Sequence, residues 1–255
     1  MESSSVTSNP EPRPASADGP PMARHETSGE VREMFASIAP GYDRTNQVLS
    51  LGVHRLWRKA AVRHARVEPG MSVLDCATGT GDLALAFKRA VGAEGTVLGT
   101  DFCKEMLAVA PGKATRAGLP IAFEVADVLA LPYDDHRFDL STIAFGIRNV
   151  ADPVKGLREL SRVVRPGGRV VVLEFGQPRG LFGWLFRFYS RHVMPRVGGM
   201  ITGNRKAYEY LPRTSAEFPA GERFLALMDQ AGTFASRAAY PLTFGTAYVY
   251  VGVVR

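Results

Sequence analysis

The chain has 255 residues, 45% hydrophobic and 22% charged, with a mean hydropathy of −0.05. That balance excludes a disordered polymer, a fibrous repeat and a multispan membrane protein, since no run approaches the ~20 consecutive apolar residues of a membrane helix. A net charge of +6 and a pI of about 9.5 leave four partners open: none beyond a small substrate, an anionic substrate, a membrane surface or a nucleic acid.

The two cysteines, Cys76 and Cys103, fall in no CxxC or Cys/His pattern, so neither a disulfide framework nor a zinc site is expected. Residues 1–20 have no apolar core segment and do not read as a secretory leader, which makes the cytoplasm the expected location.

Residues 1–28 are rich in Ser, Pro, Ala and acidic residues and read as a disordered tail. Helical patterning begins near Ser28 and continues to about residue 66, with Leu49, Leu51, Val53, Leu56, Trp57 and Ala60 on one rough face. The period then changes. Short apolar runs at 72–76, 96–100, 121–125, 138–144 and 169–175 read as strands. Helical patterns fall between them at 82–93, 104–117 and 153–164. Alternating βα units predict a parallel sheet with helices on both faces and right-handed crossovers. At 181–215 the alternation breaks into an aromatic, arginine-rich helical insert. A last helix at 221–232 and a last strand at 247–254 follow.

The first strand runs into Gly79-Thr80-Gly81, and a helix begins at Asp82. Glycines there let the backbone turn sharply and approach a ligand closely. Alone, the loop is ambiguous: Gly79 to Ala84 also fits the relaxed GxGxxG/A dinucleotide pattern, and Asp101 ends the next strand about 20 residues on, as that pattern requires. Three features favour S-adenosylmethionine over a nicotinamide dinucleotide. Asp75 lies inside the first strand, where it can order the loop and face the ammonium side of the cofactor. Asp127 follows the third strand, where it can accept from an adenine amine while Val128 and its apolar neighbours flank the ring. A buried fourth strand with an acidic lead-in, Phe138-Asp139, precedes the turn Arg165-Pro166-Gly167-Gly168. On this reading Asp101 takes the ribose hydroxyls and Thr80 lies against the methionine portion.

Two longer segments carry a resemblance. They are Tyr42-Asp43-Arg44-Thr45-Asn46-Gln47-Val48-Leu49-Ser50-Leu51-Gly52-Val53-His54-Arg55-Leu56-Trp57 and Arg162-Val163-Val164-Arg165-Pro166-Gly167-Gly168-Arg169-Val170-Val171-Val172-Leu173-Glu174-Phe175. With Phe145-Gly146-Ile147-Arg148-Asn149-Val150 between them, the chain resembles the UbiE/MenG-type C-methyltransferases of menaquinone and ubiquinone biosynthesis from about residue 30 to its end. It departs from the family's usual residues at Thr45, Ala144, Arg165 and Gly176.

The resemblance implies a class I, Rossmann-like methyltransferase fold. The expected sheet is seven-stranded and mostly parallel, with the last strand antiparallel. The expected single domain spans 29–255, with a helical cover at 29–68 and the insert after the fifth strand. The resemblance also implies methyl transfer from S-adenosylmethionine, without a metal, to a ring carbon of a polyprenylated quinol, demethylmenaquinol first; another small-molecule acceptor is the alternative.

Arg148 and Asn149 follow the fourth strand at its carboxyl end. They are the candidates for stabilising a phenolate and holding a water, or else for pairing with Asp152 and capping the next helix. His54 is a candidate base, with a structural histidine as the alternative. Tyr42 and Asp43 are expected in the cover over the pocket. The insert suits a membrane surface on the cytoplasmic face, the core or a homodimer interface, and these stay open. A nucleic-acid partner is disfavoured because no recognition motif accompanies the basic residues.

Overall fold

The computed structural model describes residues 28–255, so the tail expected at 1–28 lies outside the described residues but for Ser28. Seven strands form one sheet in the order β3-β2-β1-β4-β5-β7-β6. They are β1 (Ser72–Cys76), β2 (Thr96–Asp101), β3 (Ala122–Val125), β4 (Phe138–Ala144), β5 (Val164–Phe175), β6 (Phe234–Leu242) and β7 (Ala247–Val254). All pair in parallel except β7, which runs antiparallel to both β5 and β6. The expected α/β architecture and its reversed last strand are therefore present.

β6 is the strand that apolar periodicity did not mark. It is an edge strand, and Ala235, Ser236 and Arg237 lie exposed along it, so only its pairing with β7 defines it.

The helices start and stop where local chemistry dictates. α4 (Asp82–Val91) begins after Gly81, which sits at φ +84°, and places Asp82 in its first turn, where the helix dipole favours an anion. Lys88 closes its other end: the buried ammonium donates to the carbonyls of Gly92 and Gly95 at 2.9 and 2.6 Å. α7 (Pro153–Arg162) is capped by Asp152, whose Oδ1 accepts the Lys155 N–H at 2.9 Å, with proline opening the helix. The single helix expected at 104–117 is instead two, α5 (Lys104–Leu107) and α6 (Ala110–Arg116). Pro111 lacks the N–H that a continuous helix would need there, and it is well placed at the start of α6.

Apolar side chains cover both faces of the sheet. One core gathers Ile143, Leu157, Phe224 and Tyr250; the other gathers Trp57, Phe87, Leu173 and Val249. Above the carboxyl ends of the strands sits a roof. Helices α1 (Ser28–Ile38), α2 (Tyr42–Leu49) and α3 (Val53–Ala65) supply one part of it. The insert supplies the other: α8 (Gly180–Phe188), a π-turn (Tyr189–Val193), α9 (Met194–Thr202) and α10 (Arg205–Glu217). Ile38 and Leu49 pack on Ala207 and Tyr208 of α10, which joins the two parts. α11 (Glu222–Ala231) then leads into β6.

Candidate active site

Strand order reverses between β1 and β4, and in sheets of this type the crevice at that point is where ligands bind. A cleft of about 810 Å³ lies there, bordered by Ala77, Gly79, Asp101, Phe102, Asp127 and Val128 among others.

Asp101 is aimed by backbone amides: its Oδ2 accepts the Gly79 N–H at 2.8 Å and its Oδ1 the Cys103 N–H at 2.9 Å. Each oxygen keeps a lone pair for a further donor. Burial pushes this carboxyl above its ordinary pKa, against the pull of those amides. Asp127 forms a local turn, accepting the Leu129 N–H at 2.9 Å, and Val128, Phe102 and Met106 give the cleft apolar walls beside it.

Asp75 is fully buried and does not itself border the cleft. Its Oδ2 accepts the Thr78 hydroxyl at 2.6 Å and so orders the loop, while Oδ1 has no hydrogen-bond partner. Burial pushes its pKa up to about 7. Gly79 has φ +56°, and a Cβ there would stand 3.4 Å from Met106 Cε, across the cleft wall.

Thr80 and Gly81 complete the loop. Gly81 faces Ala110, whose Cβ would lie 3.0 Å from an added Cβ. Thr80 donates to Asp43 Oδ1 of α2 at 2.6 Å and accepts from Lys113 Nζ of α6 at 3.0 Å. Lys113 also pairs with Asp43 Oδ2 at 2.6 Å and with Asp82, which Arg58 reaches at 3.3 Å. The loop is thus latched to the cover.

A second chamber of about 940 Å³ lies under the roof, bordered by Met34, His54, Trp57, Arg148, Tyr189 and Tyr210 among others. It shares Phe35, Tyr42 and Phe145 with the cleft. Phe145 holds a left-handed backbone, φ +55°, a conformation that costs an aromatic residue roughly 1–3 kcal/mol. Two bonds hold it: its N–H donates to Leu173 O at 2.7 Å, and its carbonyl accepts Arg148 Nη1 at 2.6 Å.

The consecutive residues Arg148 and Asn149 part company. Arg148 borders the second chamber, buried, with Nη1 on Glu174 Oε1 at 2.8 Å. Its Nε and Glu174 Oε2 have no hydrogen-bond partner. Asn149 borders the cleft, and its Oδ1 accepts the Tyr210 hydroxyl at 2.9 Å. Arg148 therefore pairs with Glu174, not Asp152, and Asp152 itself is the helix cap.

His54 borders the second chamber and bonds Ser50 Oγ through Nδ1. Ser50 donates its one proton to Asn46 O at 2.6 Å, so Nδ1 carries the histidine proton and Nε2 is the acceptor. Burial, then the nearby Arg58, lower the His54 pKa to about 4.

The profile of the ubiE/COQ5 methyltransferase family matches residues 22–254. The chain belongs to that family. It is 53% identical to a ubiquinone/menaquinone biosynthesis C-methyltransferase UbiE of Bdellovibrio bacteriovorus, over 92% of this chain and 100% of that one. It is 50% identical to a demethylmenaquinone methyltransferase of Deinococcus radiodurans, over 91% of this chain and 96% of that one. Among solved structures, a SAM-dependent methyltransferase from Thermotoga maritima superposes with a TM-score of 0.63 at 18% identity, covering 88% of this chain and 99% of that chain. That likeness shows the class I methyltransferase fold.

Family membership extends through the roof, where sequence reading alone assigned no role to Phe35, Phe145, Glu174 or Tyr210. Phe145 and Glu174 stand inside the segments that carry the resemblance, but strain and pairing are tertiary facts. Tyr210 had no signal, since its partner Asn149 is distant in the chain.

Proposed function

We propose that this protein transfers a methyl group from S-adenosylmethionine to a ring carbon of a polyprenylated quinol in menaquinone- or ubiquinone-type biosynthesis, with demethylmenaquinol as the acceptor. The names borne by its relatives support the reaction class. The observation that carries the reading is the pair of adjoining spaces, one with carboxylates and one apolar, that share Phe35, Tyr42 and Phe145.

The residues of the cleft fit the cofactor. Asp101 offers two lone pairs for the ribose hydroxyls, Asp127 an acceptor for the adenine amine, and Val128, Phe102 and Met106 the ring walls. Asp75 and Gly79 shape the loop on the ammonium side. When bound, the cofactor supplies an electrophilic sulfonium methyl.

The chain's own residues do the rest. A quinol ring carbon becomes nucleophilic as the adjacent hydroxyl loses its proton, so the site must align the ring and accommodate oxyanion charge. Arg148, which borders the chamber and is held in place by Glu174, supplies the positive charge that stabilises that oxyanion. Asn149, fixed by Tyr210, holds the water that receives the proton. With its pKa near 4, His54 is unprotonated at neutral pH, and its Nε2 accepts a hydrogen bond from the quinol. Phe145 and Tyr42 stand where ring and methyl donor meet.

A finer part of the reading is peripheral contact with an anionic membrane. Leu181 and Trp184 of α8 are 76% and 57% exposed, Leu185 and Phe188 are exposed beside them, and Arg179, Arg187, Arg191 and Arg196 are exposed on the same segment. Apolar side chains set among cations complement a lipid surface that is greasy within and negative at its face.

The deciding experiment incubates the purified protein with S-adenosylmethionine and a demethylated naphthoquinol. A carbon-methylated naphthoquinol, located by NMR, is the expected product. Absence of that product alongside good turnover on a water-soluble acceptor would sink the reading.

A further inference from the structure

Resting on that reading, the question becomes where an isoprenoid tail leaves the second chamber. Part of the chamber wall is made of Phe175, Phe186, Met194 and Leu211. The same four residues form a wall of a third cavity, about 540 Å³, between the π-turn and α10. The third cavity in turn shares Arg187, Ser190, Pro212 and Ala216 with a surface groove that Trp184 and Phe188 border. Adjoining spaces thus lead from the ring site to the exposed apolar edge of α8.

Local structure opens this path. The insert departs from α-helical winding over Tyr189–Val193, a π-turn of the kind found at functional sites. Pro212 stands inside α10, where it removes a helix hydrogen bond.

The uncharged polar side chains of the third cavity are spent on the protein; Arg187, which also borders it, gives one N–H to Pro178 O at 3.4 Å and is otherwise exposed. Ser190 Oγ donates to Arg187 O at 3.2 Å and Ser215 Oγ to Leu211 O at 2.7 Å. Gln177 Nε2 donates to Ser215 O at 2.8 Å and Phe218 O at 2.7 Å, and its Oε1 accepts from Arg223 at 2.8 Å. A hydrocarbon chain offers no hydrogen bond, and a lining with satisfied polar groups asks for none.

We propose that this file of cavities is the tail channel. The quinol ring sits against Phe145 and Arg148, the isoprenoid tail passes between the π-turn and α10, and it emerges beside Trp184 and Phe188.

The test uses Ala216→Trp and, independently, Ser215→Phe, each placing bulk in the third cavity. Each variant is compared with wild type on a demethylnaphthoquinol bearing several isoprene units and on a tail-free analogue. The expected result is a fall of at least about tenfold in the ratio of kcat/KM for long-tailed over tail-free acceptor, because the tail loses its buried site. A melting temperature and S-adenosylmethionine affinity near wild type identify folded variants. A second readout covers misfolding of both. Cys76 and Cys103 are buried, so Ala216→Cys introduces an accessible thiol. The long-tailed quinone should slow its maleimide labelling and the tail-free analogue should not. An unchanged kcat/KM ratio in folded variants, or labelling indifferent to tail length, would overturn the channel alone. A wild type that methylates neither acceptor overturns the functional reading with it.

Discussion

Arg148 and Glu174 are a buried ion pair whose value lies in placement rather than stability. Removing one partner strands the other. Arg148→Met is expected to cost about 3–5 kcal/mol of stability, and Arg148→Met combined with Glu174→Leu to recover most of it while activity stays lost. Urea unfolding of the two variants beside an activity assay checks this; equal stability would show that Glu174 carries no uncompensated charge.

His54 makes a prediction of opposite character. A histidine titrating at its ordinary value would give an acid limb in kcat/KM near pH 6.5. Burial and Arg58 hold this one at about 4, so it stays neutral from pH 8 to pH 5 and contributes no such limb. His54→Gln should lower activity without changing the shape of the pH profile. The same depression has a stability consequence. Below pH 6.5 the unfolded chain binds a proton that the folded one refuses, so stability from this group is lost between pH 6.5 and 4, and His54→Gln should flatten that stretch. His54 was legible in the sequence as a histidine within a matching segment. Its charge state was not, because it depends on what buries it.

Among the elements, the latch between α2, the glycine loop and α6 is the feature that joins the roof to the cleft. Lys113 sits at its centre, bonded to Asp43, Thr80 and Asp82. Lys113→Gln should weaken the docking of α2, seen as faster amide exchange across Tyr42–Leu49 with exchange in α7 unchanged. Uniform exchange across both helices would show that the roof is held by its apolar contacts alone. Most strands and helices were readable from periodicity, because buried apolar runs and glycine or proline punctuation are local signals. The failures have local causes too. β6 is an exposed edge without alternation, and Pro111 divides a pattern that otherwise reads as one helix. Thr80 could be placed in the loop but not oriented, since the Asp43 that claims its hydroxyl lies far away in sequence.

At the scale of the whole molecule, no helix among the described residues is long and apolar enough to cross a membrane. The lipid contact proposed above is made by a face of the insert. The proposed face predicts that the protein cosediments with vesicles containing anionic lipid and that salt weakens the association. Trp184→Ser with Phe188→Ser should abolish it while leaving the elution volume in gel filtration unchanged. A doubled elution mass in the wild type, lost in that variant, would make the face a dimer interface instead.

What the amino-acid sequence determined by itself was the α/β class, the glycine loop between Asp75 and Asp82, and the acidic residues at successive strand ends. Each follows from patterns within a few tens of residues. What only the tertiary structure decided was the second chamber and its contents. Arg148 meets Glu174, Asn149 meets Tyr210, and the cover meets the insert across long stretches of chain. Such contacts depend on how helices pack above the sheet, and no local spacing encodes that.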